Sequence, residues 1–138
     1  MADREAAGYR TIRHAGEYGN ACLEVFTGEF AADAAATVLQ LGKLSGAITI
    51  TQVVAKTDDM GAAQTMDIGY RYLTTGDGTS DPDGLFDGID TGTAAAVNTF
   101  NGPLEIADGD GIELVASNIG DAATGTVTLI VSYKYNGQ

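Results

Sequence analysis

Apolar and polar residues alternate along much of this chain, a pattern typical of half-buried β-strands. The clearest case is the segment 126–135, where one face is apolar and the other carries Thr, Ser and Lys, with Ile130 as the exception. The apolar face holds Val127, Leu129, Val131, Tyr133 and Tyr135. We therefore predict a strand here with one face in a hydrophobic core.

Two earlier segments have the same period of two. The segment 65–72 places its apolar residues on one face, and these are Met66, Ile68, Tyr70 and Tyr72. The segment 47–55, AITITQVVA, is predicted to bury Ile48, Ile50 and Val54 on one face. Further strands are predicted over 22–30, 37–41, 94–100 and 112–117.

Turns rich in Gly and Asp separate these segments, and no helix longer than a few turns is indicated. The segment 76–84, GDGTSDPDG, is predicted to be a loop, because Gly permits positive φ and Asp favours turns. Leu85, Phe86 and Ile89 follow it and are expected to pack into the body of the domain. Many short strands joined by such turns predict an all-β fold, either an antiparallel β-sandwich or a barrel.

The first twenty residues differ from the rest, because they show neither a helical nor a strand period. We predict an extended N-terminal arm over residues 1–20, ordered by contact with something else, and a single β-domain over residues 21–138. A chain of 138 residues is long enough to build one core without disulfides. Cys22 is the only cysteine, so no disulfide forms within the chain.

The charge of the chain is strongly acidic, with 19 Asp and Glu residues against 7 Lys and Arg and a net charge of −12. Such a balance repels phosphate backbones and disfavours nucleic acid as a partner. The segment 73–123 contains no Lys or Arg, whereas Arg4, Arg10 and Arg13 lie in the arm. Contacts between copies of the chain, or with a basic partner, are therefore expected to use this uneven distribution of charge.

A membrane location is disfavoured, because no apolar run approaches the roughly 20 residues of a membrane-spanning helix. The segment 1–20 also lacks the apolar stretch of a secretory signal. We expect synthesis in the cytoplasm.

Candidate chemistry is sparse. Asp77, Asp81, Asp83 and Asp87 are weak candidates for calcium ligands, but their spacing does not match the EF-hand, and we favour a solvated loop. His14 has no evident partner nucleophile, and Cys22 is better explained as a small buried residue. Too few His and Cys residues are present for a zinc site. We predict a protein that is not an enzyme and needs no cofactor.

The tyrosines at alternate positions on two strands, Tyr70, Tyr72, Tyr133 and Tyr135, have two interpretations. We favour packing in the core. The alternative is a stacking platform for a sugar ring or a partner protein, which would make the chain a carbohydrate-binding module. The absence of Trp weighs against a sugar site.

The chain resembles small phage structural proteins that decorate, or cement, the capsid. The resemblance runs from the strand AITITQVVA at 47–55 through MDIGYRY at 66–72 and the acidic turn at 80–94 to ATGTVTLIVSYKY at 123–135. It covers roughly residues 22–136, with the arm outside it. It implies a jelly-roll-like sandwich, often trimeric, that binds the major capsid protein at the outer surface of the virion. A tail or head-fibre component is the alternative.

A decoration protein needs a segment that reaches its neighbours, and the arm is the candidate for that role. Its interaction residues are predicted to be Arg4, Tyr9, Arg10, Arg13 and His14. We expect the arm to bury against neighbouring subunits or the shell. Deleting residues 1–20 is then expected to weaken particle binding and leave the sandwich folded.

Overall fold

The computed structural model describes residues 3–10, 12–13, 21–61, 64–92 and 94–136, with only the backbone of residues 12–13 described. Ten strands occur in these residues. The same residues contain no helix that is long and apolar enough to cross a membrane. The strands are β1 (Asp3–Glu5), β2 (Ile12–Arg13), β3 (Ala21–Asp33), β4 (Val38–Leu44), β5 (Ile48–Thr57), β6 (Thr65–Tyr72), β7 (Asp81–Asp90), β8 (Ala96–Ile106), β9 (Ile112–Ile119) and β10 (Ala123–Tyr135).

The strands form two packed sheets. Sheet A has the order β1-β4-β9-β6-β7, with β2 also paired to β4, and sheet B has the order β3-β10-β5-β8. The strands β3 to β10 form nested antiparallel pairs, in which β6 pairs with β7, β4 with β9, β5 with β8 and β3 with β10. Eight strands wound this way into two sheets are a jelly roll. The predicted antiparallel β-sandwich is therefore confirmed.

The core lies between the sheets and follows the predicted alternation closely. On β10, Val127, Leu129, Val131 and Tyr133 are all buried, and on β6 Met66 and Ile68 are fully buried. Leu85, Phe86 and Ile89 also join the core, as predicted. The alternating pattern predicts these positions well because each strand has one face on the core and one face away from it.

Val54 is an exception, and its predicted burial on the face of Ile48 and Ile50 is wrong. The pairing of β5 with both of its neighbours shifts register between Ile50 and Gln52, which marks a β-bulge. One extra residue reverses the face of every side chain that follows it. Val53 and Ala55 therefore enter the core, and Val54 turns to the outside.

The predicted loop over 76–84 is shorter than expected, because β7 begins at Asp81. Asp81 pairs with Tyr70 of β6, and Gly69 makes the close approach possible. A Cβ atom on Gly69 would lie 2.2 Å from the carbonyl oxygen of Asp81. Pro82 is tolerated here because β7 is an edge strand, where a missing N–H breaks no ladder.

Candidate interaction surfaces

The described part of the arm lies against its own domain. Strand β1 runs parallel to β4, with Arg4 opposite Leu39, and β2 continues along the same strand. The arm thus extends sheet A at its β4 edge. Tyr9 is only 7% exposed and is the arm residue buried most deeply among those the structure describes. These contacts place the described part of the arm on its own domain.

The phenol of Tyr9 reaches a carboxylate on the outer face of sheet A. Its hydroxyl donates to Oε2 of Glu113 at 2.6 Å, and Nε2 of Gln40 donates to the same oxygen at 2.8 Å. Nε of Arg71 donates to Oε1 of Glu113 at 3.0 Å. Glu113 is only 8% exposed, so these donors satisfy side-chain oxygens that little water can reach. The four side chains Tyr9, Gln40, Arg71 and Glu113 are called the Glu113 network below.

Burial of Tyr9 has a measurable consequence. Desolvation raises the pKa of its hydroxyl well above the ordinary value of 10.0, and the hydrogen bond and charge of Glu113 add to the shift. The hydroxyl therefore stays protonated and remains a donor at every physiological pH. The ammonium group of Lys43 lies 4.9 Å from the centre of the Tyr9 ring, in the geometry of a cation–π contact.

The other predicted arm residues have different surroundings. Arg4 forms an ion pair with Asp33 and donates to the carbonyl oxygen of Glu29 at 3.1 Å, which ties the arm to sheet B. Arg10 pairs with Glu5 at 2.8 Å but keeps a side chain that is 81% exposed. Only the backbone of Arg13 is described, and His14 lies outside the described residues. The interaction roles of all five residues stay predictions.

Sequence reasoning missed Glu113 and Arg71, although a signal for both was present. Glu113 interrupts the apolar run at 112–116, and Arg71 is the only cation between Lys56 and Lys134. A single charge on a strand with buried neighbours needs a partner. The two residues face each other in the pairing of β6 with β9, and Arg71 also pairs with Asp3 of the arm at 3.2 Å.

The outer face of sheet B is different, because its centre carries no carboxylate among the described residues. Neighbouring positions on the four strands share this face through their register. We call it the acid-free face, and it consists of Leu23, Val25 and Thr27 on β3, Thr128, Ile130 and Ser132 on β10, Gln52, Val54 and Lys56 on β5, and Val97, Thr99 and Asn101 on β8.

A strip of apolar side chains crosses three of the four strands of the acid-free face. Ile130 lies directly between Val25 and Val54 in the register, and Leu23 follows Val25 along β3. Leu23 is 63% exposed, Val25 48% and Val97 65%. Hydrogen bonds among the polar members, such as Gln52 to Asn101 at 3.3 Å, hold the surrounding side chains in place.

The acidic residues proposed as calcium ligands do not come together as one group. Asp83 and Asp87 on β7 share a cluster with Asp67 of β6, in which one carboxylate oxygen from each lies within 4.8 Å of the others. Asp77 is directed elsewhere, and its Oδ2 accepts the backbone N–H of Asp110 at 3.0 Å. Asp81 hydrogen-bonds Asp83, which raises the pKa of Asp81. Calcium binding stays a prediction.

Asp67 is the member of this cluster that the sequence did not indicate. Desolvation raises the pKa of its carboxyl group, and the charges of Asp87 and Asp83 raise it further. The backbone N–H of Gly88, which donates to its Oδ1 at 2.8 Å, acts in the opposite direction. The raised pKa indicates that like charges and burial outweigh this hydrogen bond.

The four tyrosines belong to the core, as the favoured interpretation predicts. Tyr133 is 1% exposed, and the other three pack against the core while partly buried. Tyr70 and Tyr72 meet edge to face, with ring centres 6.1 Å apart. Gly78 lies against the Tyr72 ring, and the Tyr72 hydroxyl accepts the backbone N–H of Ala107 at 3.1 Å. This ring is therefore not an open platform for stacking.

Comparison with known proteins gives likeness in structure alone. No protein-family model matches the chain, and no curated protein matches it in sequence. A chain in the capsid of Ralstonia phage GP4 superposes with a TM-score of 0.76 and 20% identity, covering 99% of this chain and 100% of that one. A chain in the capsid asymmetric unit of cyanophage Pam1 gives a TM-score of 0.60 and 15% identity, covering 88% and 90%. At these identities the likeness shows a shared β-sandwich fold.

Proposed function

We propose that this chain is a structural protein of a phage virion that decorates the capsid and stabilises it by bridging shell subunits. The observation that carries the proposal is the match to a chain of a phage capsid, which covers 99% of this chain and 100% of that chain. The second match also comes from a phage capsid. A role in assembly agrees with a jelly roll whose described residues carry interaction surfaces rather than a catalytic set.

In this proposal the major capsid protein is the partner, and the arm side of sheet A faces the shell. Arg10 supports this orientation, because it is the arm cation that keeps a largely exposed side chain in the described part of the chain. The resemblance in sequence further implies that the protein works as a homo-oligomer, with a trimer as the expected stoichiometry. The protein is then found at the outer surface of the virion.

Binding to shells tests the proposal directly. Shells assembled from the major capsid protein of a phage that encodes this chain are mixed with purified protein and sedimented. We expect saturable co-sedimentation at a fixed ratio to the shell protein. Shells that remain free of the protein at saturating concentrations would contradict the proposal, and protein found only on purified tails would support the tail alternative.

Arg10→Ala tests the orientation with little effect on folding, because the ion pair it removes is exposed. We expect weaker binding to shells, with an unchanged unfolding midpoint. Lys134→Ala is the matched control, since it removes an exposed cation from sheet B. Equal effects of the two substitutions would mean that the arm side does not face the shell.

A further inference from the structure

The acid-free face stands out against the charge of the whole molecule. The chain carries a net charge of −12, yet the twelve central side chains of this face include one cation, Lys56, and no carboxylate. Among the described residues, the large apolar side chains with the greatest exposure are Leu23, Val25, Val97 and Ile119, and all except Ile119 lie on this face. An apolar strip bordered by polar groups, of which Lys56 alone is charged, is characteristic of an interaction site.

We propose that the acid-free face is the surface through which copies of this chain associate. The inference depends on the homo-oligomer of the proposed function but not on binding to a shell. Its occupant is a second copy, because two strongly acidic molecules repel each other wherever carboxylates meet across a contact. A contact between copies is therefore favoured where the centre of at least one of the two surfaces is free of carboxylates. In a symmetric pair, both copies contribute this face to the contact. In a ring of three, each contact includes this face from one of its two copies.

The size and layout of the face agree with this role. Its twelve residues form a grid of four strands by three positions, measuring about 14 Å by 14 Å between Cα atoms at ordinary strand spacings. A stable interface uses roughly 20–30 residues from each partner. The grid therefore supplies the centre of such an interface. The rim beyond it is polar, with Glu29 at one end and Thr49, Glu105 and Lys134 at the other.

Val25→Glu tests the proposal by placing a carboxylate in the middle of the apolar strip. Sedimentation velocity and light scattering, without any shells, give the mass over a range of concentrations. We expect the unaltered protein to be oligomeric and Val25→Glu to raise the dissociation constant at least about tenfold, since an unpaired charge becomes buried in the contact. Ile119→Glu is the control, because Ile119 is 44% exposed and lies off this face. It should leave the mass unchanged.

A second variant separates the contact from the fold. Val25→Thr keeps a β-branched side chain on an exposed strand position and is expected to weaken association several-fold without changing the unfolding midpoint. The proposal is overturned if the unaltered protein is a monomer at high concentration, or if Val25→Glu and Ile119→Glu behave alike. It is also overturned if Val25→Glu abolishes binding to shells while the mass in solution stays the same, because the shell would then occupy the face. Loss of shell binding with Arg10→Ala has no bearing on this result.

Discussion

The outer face of sheet A holds buried charges beneath the N-terminal arm, whereas the outer face of sheet B is open and, in its described centre, free of carboxylates. On sheet A, Glu113 is stabilised by Tyr9, Gln40 and Arg71, so a charge is kept where water is excluded. On sheet B, Val25 is exposed and Ile130 is only half-buried within the single chain. The two outer faces of one sandwich thus differ, because the chain itself covers the first and leaves the described centre of the second open.

The difference suggests that the two surfaces suit different kinds of contact, one within the chain and one between molecules. Charged side chains are costly to bury unless each donor and acceptor is paired, and the Glu113 network achieves this with residues from three strands and the arm. Apolar and uncharged polar side chains carry no such requirement, so they suit a contact that forms and separates between molecules.

Removal of residues 1–10 is the strongest test of the covered face. It takes away β1 and Tyr9 and exposes the face that carries Glu113 and Val115, which is fully buried. We expect the sandwich to fold but to lose about 3 kcal/mol of unfolding free energy, because the burial of Tyr9, its hydrogen bond to Glu113 and the pairing of β1 with β4 together outweigh the entropy of ordering the arm. Guanidinium unfolding followed by circular dichroism measures the change.

Arg10→Ala serves as the control for this deletion, with little expected change. An arm deletion that leaves the unfolding free energy unaltered would show that the arm does not dock on its own domain in solution. The arm would then be available to reach a neighbouring subunit, as its sequence suggests, and both outer faces would be open.

Strict alternation in the sequence was a reliable guide to the core, and the exceptions to it mark the acid-free face. Ile130 departs from the alternation of its strand, and it lies outside in the structure. Val54 was assigned to the core because the bulge between Ile50 and Gln52 has no Gly or Pro to signal it. The face could therefore not be assembled from the sequence, since its centre depends on a register shift and on pairing between distant strands.

The arm was harder to predict for a related reason. Asp3, Arg4 and Glu5 have no strand period of their own, and they become a strand only because the edge of β4 offers hydrogen bonds. The Tyr9 hydroxyl donates to a carboxylate that lies 104 positions further along the chain. Such long-range partners are set by topology, which local pattern does not encode.

Glu113→Ala is expected to have the next largest effect. It leaves the Tyr9 hydroxyl and the guanidinium of Arg71 without their shared acceptor, and we expect a loss of about 1–3 kcal/mol of unfolding free energy. Glu113→Gln keeps an acceptor oxygen and should lose less. Glu105→Ala removes an exposed carboxylate at the rim of sheet B and is the matched control. Similar losses for Glu113→Ala and Glu105→Ala would contradict the role of the network.

Asp67→Asn has the smallest expected effect, and its sign depends on pH. The carboxyl pKa is raised in the folded protein, mainly by desolvation, so the protonated form favours folding and the ionised form opposes it. The favourable contribution is complete below the unfolded value of 3.8 and disappears as the pH rises through the folded value. Asparagine keeps the oxygen that accepts the Gly88 N–H. We therefore expect Asp67→Asn to raise the denaturant midpoint at pH 7, with a gain that vanishes near pH 3.

Asp59→Asn is the matched control for this substitution, because Asp59 is exposed and its Oδ1 accepts the Gly61 N–H at 3.1 Å outside the Asp67 cluster. It should change the midpoint little at either pH. A gain for Asp67→Asn that persists at pH 3 would mean that packing, rather than charge, causes it. A lower denaturant midpoint for Asp67→Asn at pH 7 that appears only with added calcium would mean that Asp67, Asp83 and Asp87 jointly bind the ion. The outer face of sheet A would then depend on a cation as well as on the arm, and its contrast with the acid-free face would be sharper still.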